Sequence, residues 1–166
     1  MINIALSPGD HQGDLVPTAS SPRGVGGKPS VTITAGHSLY SPGGAFRLTF
    51  LPAAGAVIQC VDDSTLQWKS GQPLNPAQIQ WVTIWTGGGT TNQDITEIDM
   101  QLDGNFVVYS GTTPIFNSIT DQHNLTSGAF LRMQDDGNLV IYIGNKAIWS
   151  TGTYARGGGA LAQKAA

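Results

Sequence analysis

Two ten-residue segments of the chain carry the same hydrogen-bonding side chains at the same spacing. Residues 100–109 read MQLDGNFVVY and residues 133–142 read MQDDGNLVIY. Gln, Asp, Asn, Val and Tyr occupy alternate positions in both, and they stay constant while the apolar residues between them change. A repeat kept only for its core would be expected to conserve its apolar residues more than its polar ones. The changes at the apolar positions are compatible with folding, because a core tolerates exchange among apolar residues of similar volume.

The constant side chains have the chemistry that a sugar requires. Amides donate and accept hydrogen bonds, an ionised carboxylate accepts and a phenol does either, so together they can satisfy vicinal hydroxyl groups. The valine adds an apolar contact for the C–H face of a sugar ring. The candidate sugar-binding residues are Gln101, Asp103, Asn105, Val107 and Tyr109 in one segment, and Gln134, Asp136, Asn138, Val140 and Tyr142 in the other.

A purely structural role is the alternative for these positions. Asp before Gly is ordinary turn chemistry, so Asp103 and Asp136 taken alone favour that role. Retention of all five side chains in both segments favours binding instead.

Each segment predicts a strand, a tight turn and a second strand. Gly104 and Gly137 follow an Asp between β-prone residues, and glycine supplies the positive φ that such turns need. Side chains alternate along a strand, so the constant residues share one face and their neighbours the other. The predicted core residues on that other face are Phe106, Val108, Leu139 and Ile141.

The two segments belong to a longer internal repeat. Residues 98–118 and 131–151 share nine identities in 21 positions, and residues 48–59, LTFLPAAGAVIQ, fit as a third copy when Phe50 is placed on Met100. The positions of the sugar set in this copy are Leu51, Ala53, Gly55, Val57 and Gln59. They hold almost no hydroxyl-binding groups, so we predict that the first repeat has no sugar site.

An insertion explains the longer spacing of the first repeat. The segment TIWTG at 83–87 matches AIWST at 147–151, which places the extra residues in a projecting hairpin near 60–82. Trp68 and Trp81 lie in this hairpin, where they either pack it onto the body or contact a partner.

Composition predicts a single all-β domain with two extensions. The chain has 166 residues, 22 Gly and nine Pro, with only 11% charged residues. Short β-prone runs separated by turn residues begin at about position 31. We therefore predict an arm or linker at 1–30, a β domain at 31–154 and a tail at 155–166.

Several partners are disfavoured by charge and hydropathy. The net charge is −3 with eight Lys and Arg, so no basic surface is expected for nucleic acid or anionic lipid. No apolar segment approaches the roughly 20 residues of a membrane span. The N-terminus lacks the basic region and unbroken apolar run of a signal peptide, which leaves the localisation unknown: cytoplasmic, or exported by a route that uses no signal peptide.

Nothing in the sequence predicts catalysis, a metal or a cofactor. A glycosidase needs two carboxylates in unlike environments, whereas Asp103 and Asp136 occupy equivalent places in different repeats. The three histidines, His11, His37 and His123, lack metal-ligand spacing. With Cys60 as its single cysteine, the chain forms no internal disulfide.

The pattern Gln-x-Asp-x-Asn-x-Val-x-Tyr, intact twice, resembles the sugar-binding signature of the monocot mannose-binding, or bulb-type, lectins. The resemblance covers residues 38 to 154. It implies a β-prism II fold of three four-stranded antiparallel sheets with pseudo-threefold symmetry, without metal or cofactor. It also implies that Trp85, Phe116 and Trp149 pack near the axis.

The leading functional hypothesis is a lectin that recognises mannose or mannose-containing glycans through two sites. The alternatives are a structural or self-assembling β-prism module and the glycan-targeting subunit of a toxin or antibacterial protein. Because prism lectins of the resembled family can exchange terminal strands, we expect a homo-oligomer.

Overall fold

A computed structural model describes residues 3–62, 75–87, 94–121 and 128–154. Trp68, His123, most of the predicted hairpin and the predicted tail lie outside these ranges. The described part consists of short strands and one 3₁₀ turn at Pro76–Gln78. The strands are β1 (His11–Gln12), β2 (Asp14–Leu15), β3 (Ser30–Ile33), β4 (Ser38–Tyr40), β5 (Phe46–Leu51), β6 (Gly55–Val61), β7 (Trp81–Gly87), β8 (Glu97–Gln101), β9 (Phe106–Ser110), β10 (Thr113–Asn117), β11 (Ala129–Met133), β12 (Leu139–Ile143) and β13 (Lys146–Ser150).

The strands form three sheets, which confirms the predicted all-β prism. Their orders are β1-β4-β5-β6-β7, β10-β9-β8-β3 and β13-β12-β11-β2. The first sheet differs from the predicted four strands, because the two-residue strand β1 adds to it parallel to β4.

The strand registers agree with the alignment of the three repeats. Phe50 pairs with Ala56, Met100 with Phe106, and Met133 with Leu139. Each sheet also has a register shift on the next strand pair, between β6 and β7, β9 and β10, and β12 and β13. The three sheets are therefore copies of one structural unit.

The segment that composition describes as an arm or linker takes part in the sheets. Leu15 in β2 pairs with Leu131 and is 1% exposed. Ile33 in β3, at the start of the predicted β domain, pairs with Ile98 in the corresponding way. Strands of two residues among Gly and Pro carry no periodicity, so the sequence did not reveal them.

An aromatic cluster fills the axis between the sheets. Trp85, Phe116 and Trp149 come from the outermost strands β7, β10 and β13. Their ring centroids lie 5.4 Å apart for Trp85 and Phe116, 6.5 Å for Trp85 and Trp149, and 6.3 Å for Phe116 and Trp149. The expected axial packing is confirmed.

Candidate functional site

The turns of the second and third repeats place the candidate residues in the same way. The amides of Gly104 and Gly137 each donate to the carbonyl three residues back, at 3.0 Å, and both glycines have positive φ. Asp103 Oδ1 and Asp136 Oδ1 then accept the amide two residues on, at 3.0 and 2.9 Å. The aspartates shape the turns, and each has a second carboxylate oxygen for another donor.

The third repeat forms a connected polar surface, which we call the third-repeat site. Gln134 Nε2 donates to both oxygens of Asp136, at 3.1 and 3.2 Å, and the Tyr142 hydroxyl donates to Gln134 Oε1. Asn138 Oδ1 accepts from Gly152 N at 2.9 Å and from the Thr151 hydroxyl at 3.2 Å. The amide is thereby oriented, with its Nδ2 donors unbonded among the described residues.

The second repeat brings its five residues together similarly, in what we call the second-repeat site. Gln101 Nε2 donates to the Tyr109 hydroxyl at 2.8 Å, and Asn105 Oδ1 accepts from the Ser118 hydroxyl at 3.0 Å. Burial of Tyr109 raises the pKa of its phenol. The difference from the third repeat lies in what covers the set.

Residues 22–30, which we call the cover loop, lie over the second-repeat site. Lys28 Nζ donates to Asp103 Oδ2 at 2.6 Å, and this contact raises the pKa of Lys28. A Cβ atom at position 26 would lie 2.3 Å from Tyr109 Oη and 2.8 Å from Gln101 Nε2, so a larger residue would require the loop or these side chains to shift. Gln101 and Asp103 are each 2% exposed as a result.

Three of the equivalent residues of the third repeat are open, while Asn138 and Val140 are buried at 9% and 2% exposed. Asp136 is exposed, and Gln134 and Tyr142 are partly exposed. A cavity of about 510 Å³ adjoins Gln134 and is bordered by Asp14 and Arg132. Two sets that the sequence makes equivalent therefore differ in access.

In the first repeat, the positions that correspond to the sugar set hold one polar residue, Gln59. Gln59 is engaged on both ends: its Oε1 accepts from Arg47 Nε at 2.9 Å and its Nε2 donates to the Thr83 hydroxyl at 3.3 Å. The Arg47 guanidinium also stacks 4.1 Å from the ring centroid of Trp81. Trp81 packs onto the body in this way.

A buried carboxyl group, Asp99, and its half-buried neighbour Glu97 lie under the cover loop. Asp99 is fully buried and its Oδ1 accepts from the Thr32 hydroxyl at 2.6 Å. Burial, together with the neighbouring Glu97, raises the pKa of Asp99 to about 7. Asp99 Oδ2 has no hydrogen-bond partner within the described ranges, since two ionised carboxylates both accept. A proton on Asp99 resolves this, because its hydroxyl can then donate to Glu97.

The corresponding position in the third sheet holds a basic residue. Arg132 pairs with Val140 as Asp99 pairs with Val107. Arg132 binds Asp14 through two hydrogen bonds of 2.8 and 3.0 Å. The second and third sheets thus carry different side chains beside the same motif residue.

The segments that donate hydrogen bonds to Asn105 and Asn138 differ at one position with positive φ. Ile119 lies between Ser118 and Thr120, which donate to Asn105, and it has φ of 55° and is 81% exposed. Gly152 occupies the equivalent place beside Asn138, with φ of 69°. A β-branched residue in the left-handed region is strained.

We expect Ile119→Gly to raise the free energy of unfolding by about 1 kcal/mol. Removing the strain of the left-handed conformation stabilises the fold by roughly 1–2 kcal/mol. The greater conformational freedom of glycine in the unfolded chain offsets part of this gain. Urea unfolding measures the change. Val82→Gly, at an exposed position of a regular strand, is the control and should destabilise; a destabilised Ile119→Gly would contradict the strain.

Sequence reasoning missed the residues that control access. Lys28 and Gly26 belong to GVGGK, which by composition is a linker, and Asp99 and Arg132 lie in strands whose core-facing residues carried the pattern. The sequence feature that could have indicated this covering segment is one Lys among several Gly before a strand, and that feature is not specific.

Similar solved structures share the β-prism fold. A lectin from Marasmius oreades matches with a TM-score of 0.60 and 22% identity, covering 90% of this chain and 96% of that one. A monomeric monocot mannose-binding lectin from Gastrodia elata matches with a TM-score of 0.53 and 26% identity, covering 74% and 92%. A lectin from Allium sativum matches with a TM-score of 0.50 and 21% identity, covering 84% and 99%.

No protein-family model and no curated protein sequence matches the chain. Within the described ranges, no three His, Cys, Asp or Glu side chains gather in a way that could hold a metal ion. The same ranges contain no helix with the length and hydropathy to cross a membrane.

Proposed function

We propose that this chain is a carbohydrate-binding lectin, not an enzyme, and that it recognises mannose or mannose-containing glycans. The observation that carries the proposal is the third-repeat site, where an amide, a carboxylate and a phenol are fixed side by side and reach solvent. Similarity to the Gastrodia elata mannose-binding lectin supports the same ligand class.

The hydrogen bonds of this site leave complementary groups for a sugar. Asn138 Oδ1 is held by the backbone, which leaves its Nδ2 as a donor without a partner among the described residues. Asp136 Oδ1 accepts from the backbone amide of Asn138 in the turn, while Oδ2 can accept a hydrogen bond from a sugar hydroxyl. One donor and one acceptor side by side fit two adjacent hydroxyls, each of which gives and takes a hydrogen bond.

A single shallow site binds weakly. A monosaccharide has about 12 heavy atoms, and roughly 0.3 kcal/mol per atom gives about 4 kcal/mol, a dissociation constant on the order of a millimolar. Useful avidity needs several sites engaged at once. We therefore propose that the chain acts as a homo-oligomer, which would present one open third-repeat site per chain.

We expect Asp136→Asn to weaken binding of methyl α-mannoside at least tenfold. Asparagine keeps the Oδ1 acceptor that the turn uses but replaces the second acceptor by a donor, which loses a charge-assisted hydrogen bond of about 1.5–3 kcal/mol. Titration followed by the side-chain amide signals of Asn138 in ¹⁵N NMR measures the affinity.

Two controls accompany this titration. Asp94→Asn makes the same chemical change at an exposed position outside the site and should bind as the wild type does. Methyl α-galactoside should bind more weakly than the mannoside. If the Asn138 signals of the wild type stay unmoved at mannoside concentrations well above a millimolar, the proposal is wrong.

A further inference from the structure

The cover loop is a closed turn that keeps its shape by internal bonds. Arg23 and Pro29 form a β-bridge, Ser30 N donates to Pro22 O at 2.9 Å, and Gly24 N donates to Lys28 O at 3.1 Å. These bonds close the base of the loop without using the second-repeat site. The tip can therefore lift from the site while the base stays in place.

Few bonds hold the tip against the sheet. Val25 N donates to Glu97 Oε1 at 3.0 Å, and Lys28 Nζ binds Asp103 Oδ2. The Lys28 side chain is 42% exposed and that of Asp103 is 2% exposed, so water screens the ion pair from one side only. The Val25 side chain is also 42% exposed. Two polar contacts, from Val25 N and Lys28 Nζ, thus hold the tip against the sheet.

The tip occupies the groups that a ligand would use. The Lys28 ammonium takes the Asp103 oxygen whose counterpart on Asp136 is exposed, and the Gly26 backbone lies against Tyr109 and Gln101. A ligand and the tip cannot be bound to these groups together.

We propose that the cover loop is a displaceable lid over a latent second sugar site, and that lifting its tip gives a site equivalent to the open third-repeat site. This inference rests on the proposed function. Opening of the lid and binding of the sugar are linked equilibria. If the lid is open in about one molecule in a hundred, the apparent affinity of the second-repeat site falls about a hundredfold. The wild type then shows one site per chain at millimolar sugar.

Gly26→Leu is the variant that opens the lid. The φ of Gly26 lies outside the left-handed region, so leucine is compatible with its backbone and only the contact with Tyr109 and Gln101 rejects it. Val25→Leu is the matched control, because it enlarges a side chain in the same tip that already faces solvent. Lys28→Gln is a second, milder opening variant that keeps side-chain length and removes the ion pair.

Two measurements read the lid and the sugar separately. Hydrogen exchange of the backbone amide at residue 25, which donates to Glu97, reports lifting without any ligand. ¹⁵N titration of the side-chain amides of Asn105 and Asn138 with methyl α-mannoside reports each site. We expect only Asn138 to respond in the wild type and Val25→Leu, and both to respond in Gly26→Leu, with similar dissociation constants and with faster exchange at residue 25. In Lys28→Gln, Asn105 should begin to respond at a mannoside concentration severalfold lower than the one that the wild type requires.

Three results would overturn the inference. In the first, Asn105 of the wild type responds as strongly as Asn138, so that the loop is no barrier. In the second, Asn138 responds in an opening variant with fast exchange at residue 25 while Asn105 does not. In the third, exchange at residue 25 stays at the wild-type rate in both opening variants. Absence of an Asn138 response in every protein is a different result, since it rejects the proposed function itself.

Discussion

Phe106→Ala is expected to lower the free energy of unfolding by about 3–5 kcal/mol, the usual range for truncating a buried phenylalanine. Phe106 is fully buried, and its ring centroid lies 6.2 Å from those of Phe116 and Trp149. The cavity would open at the axis where the three sheets meet. Since each sheet is held by its own backbone ladder, the walls cannot readily close around it.

Urea unfolding followed by tryptophan fluorescence measures this loss, because Trp85 and Trp149 report the axis. Val82→Ala removes apolar atoms from a side chain that is 47% exposed and should change stability by less than about 0.5 kcal/mol. A loss below about 1 kcal/mol for Phe106→Ala would show that the axial cluster does not hold the sheets together.

Asp99→Asn is expected to stabilise the protein at pH 8 by up to about 4 kcal/mol. The pKa of Asp99 is raised to about 7 from the ordinary value of 3.8, and each unit of difference corresponds to about 1.4 kcal/mol. The folded protein therefore holds a proton that the unfolded chain releases between about pH 4 and pH 7. Across that window the free energy of unfolding falls as the pH rises, and it levels off above pH 7.

Asparagine imitates the protonated acid at this position. Its Oδ1 can accept from Thr32 and its Nδ2 can donate to Glu97, with no charge to bury. Urea unfolding of both proteins from pH 4.5 to pH 8 measures the difference, which should grow with pH and vanish at the acid end. Asp94→Asn is the exposed control and should follow the wild type. Equal pH profiles for Asp99→Asn and the wild type would mean that Asp99 is ionised when buried.

Much of the fold follows from the sequence because the information is local. The Asp-Gly turns, the alternation of Phe106 and Val108 with polar neighbours, and the spacing to Trp149 are set within about 20 residues, and they recur. Recurrence converts three weak local patterns into one strong prediction of three equivalent sheets. The degenerate first repeat could be predicted for the same reason, since the loss of its polar residues is visible in the letters.

The candidate residues are likewise determined by the sequence, but their accessibility is not. The second and third repeats have identical sets, and nothing in either segment separates them. Access is decided by Lys28, which meets Asp103 across 75 residues of sequence, and by Gly26 against Tyr109. The short strands of the arm are similar, since Leu15 finds its partner only in β11.

The sequence by itself determined which side chains form each set and which face of each hairpin they share, because turn chemistry and strand alternation act over a few residues. Only the tertiary structure decided that one set is covered and the other open. Contacts between segments distant in sequence depend on how the whole chain folds. A glycine-rich stretch has no residue pattern from which its contacts can be predicted.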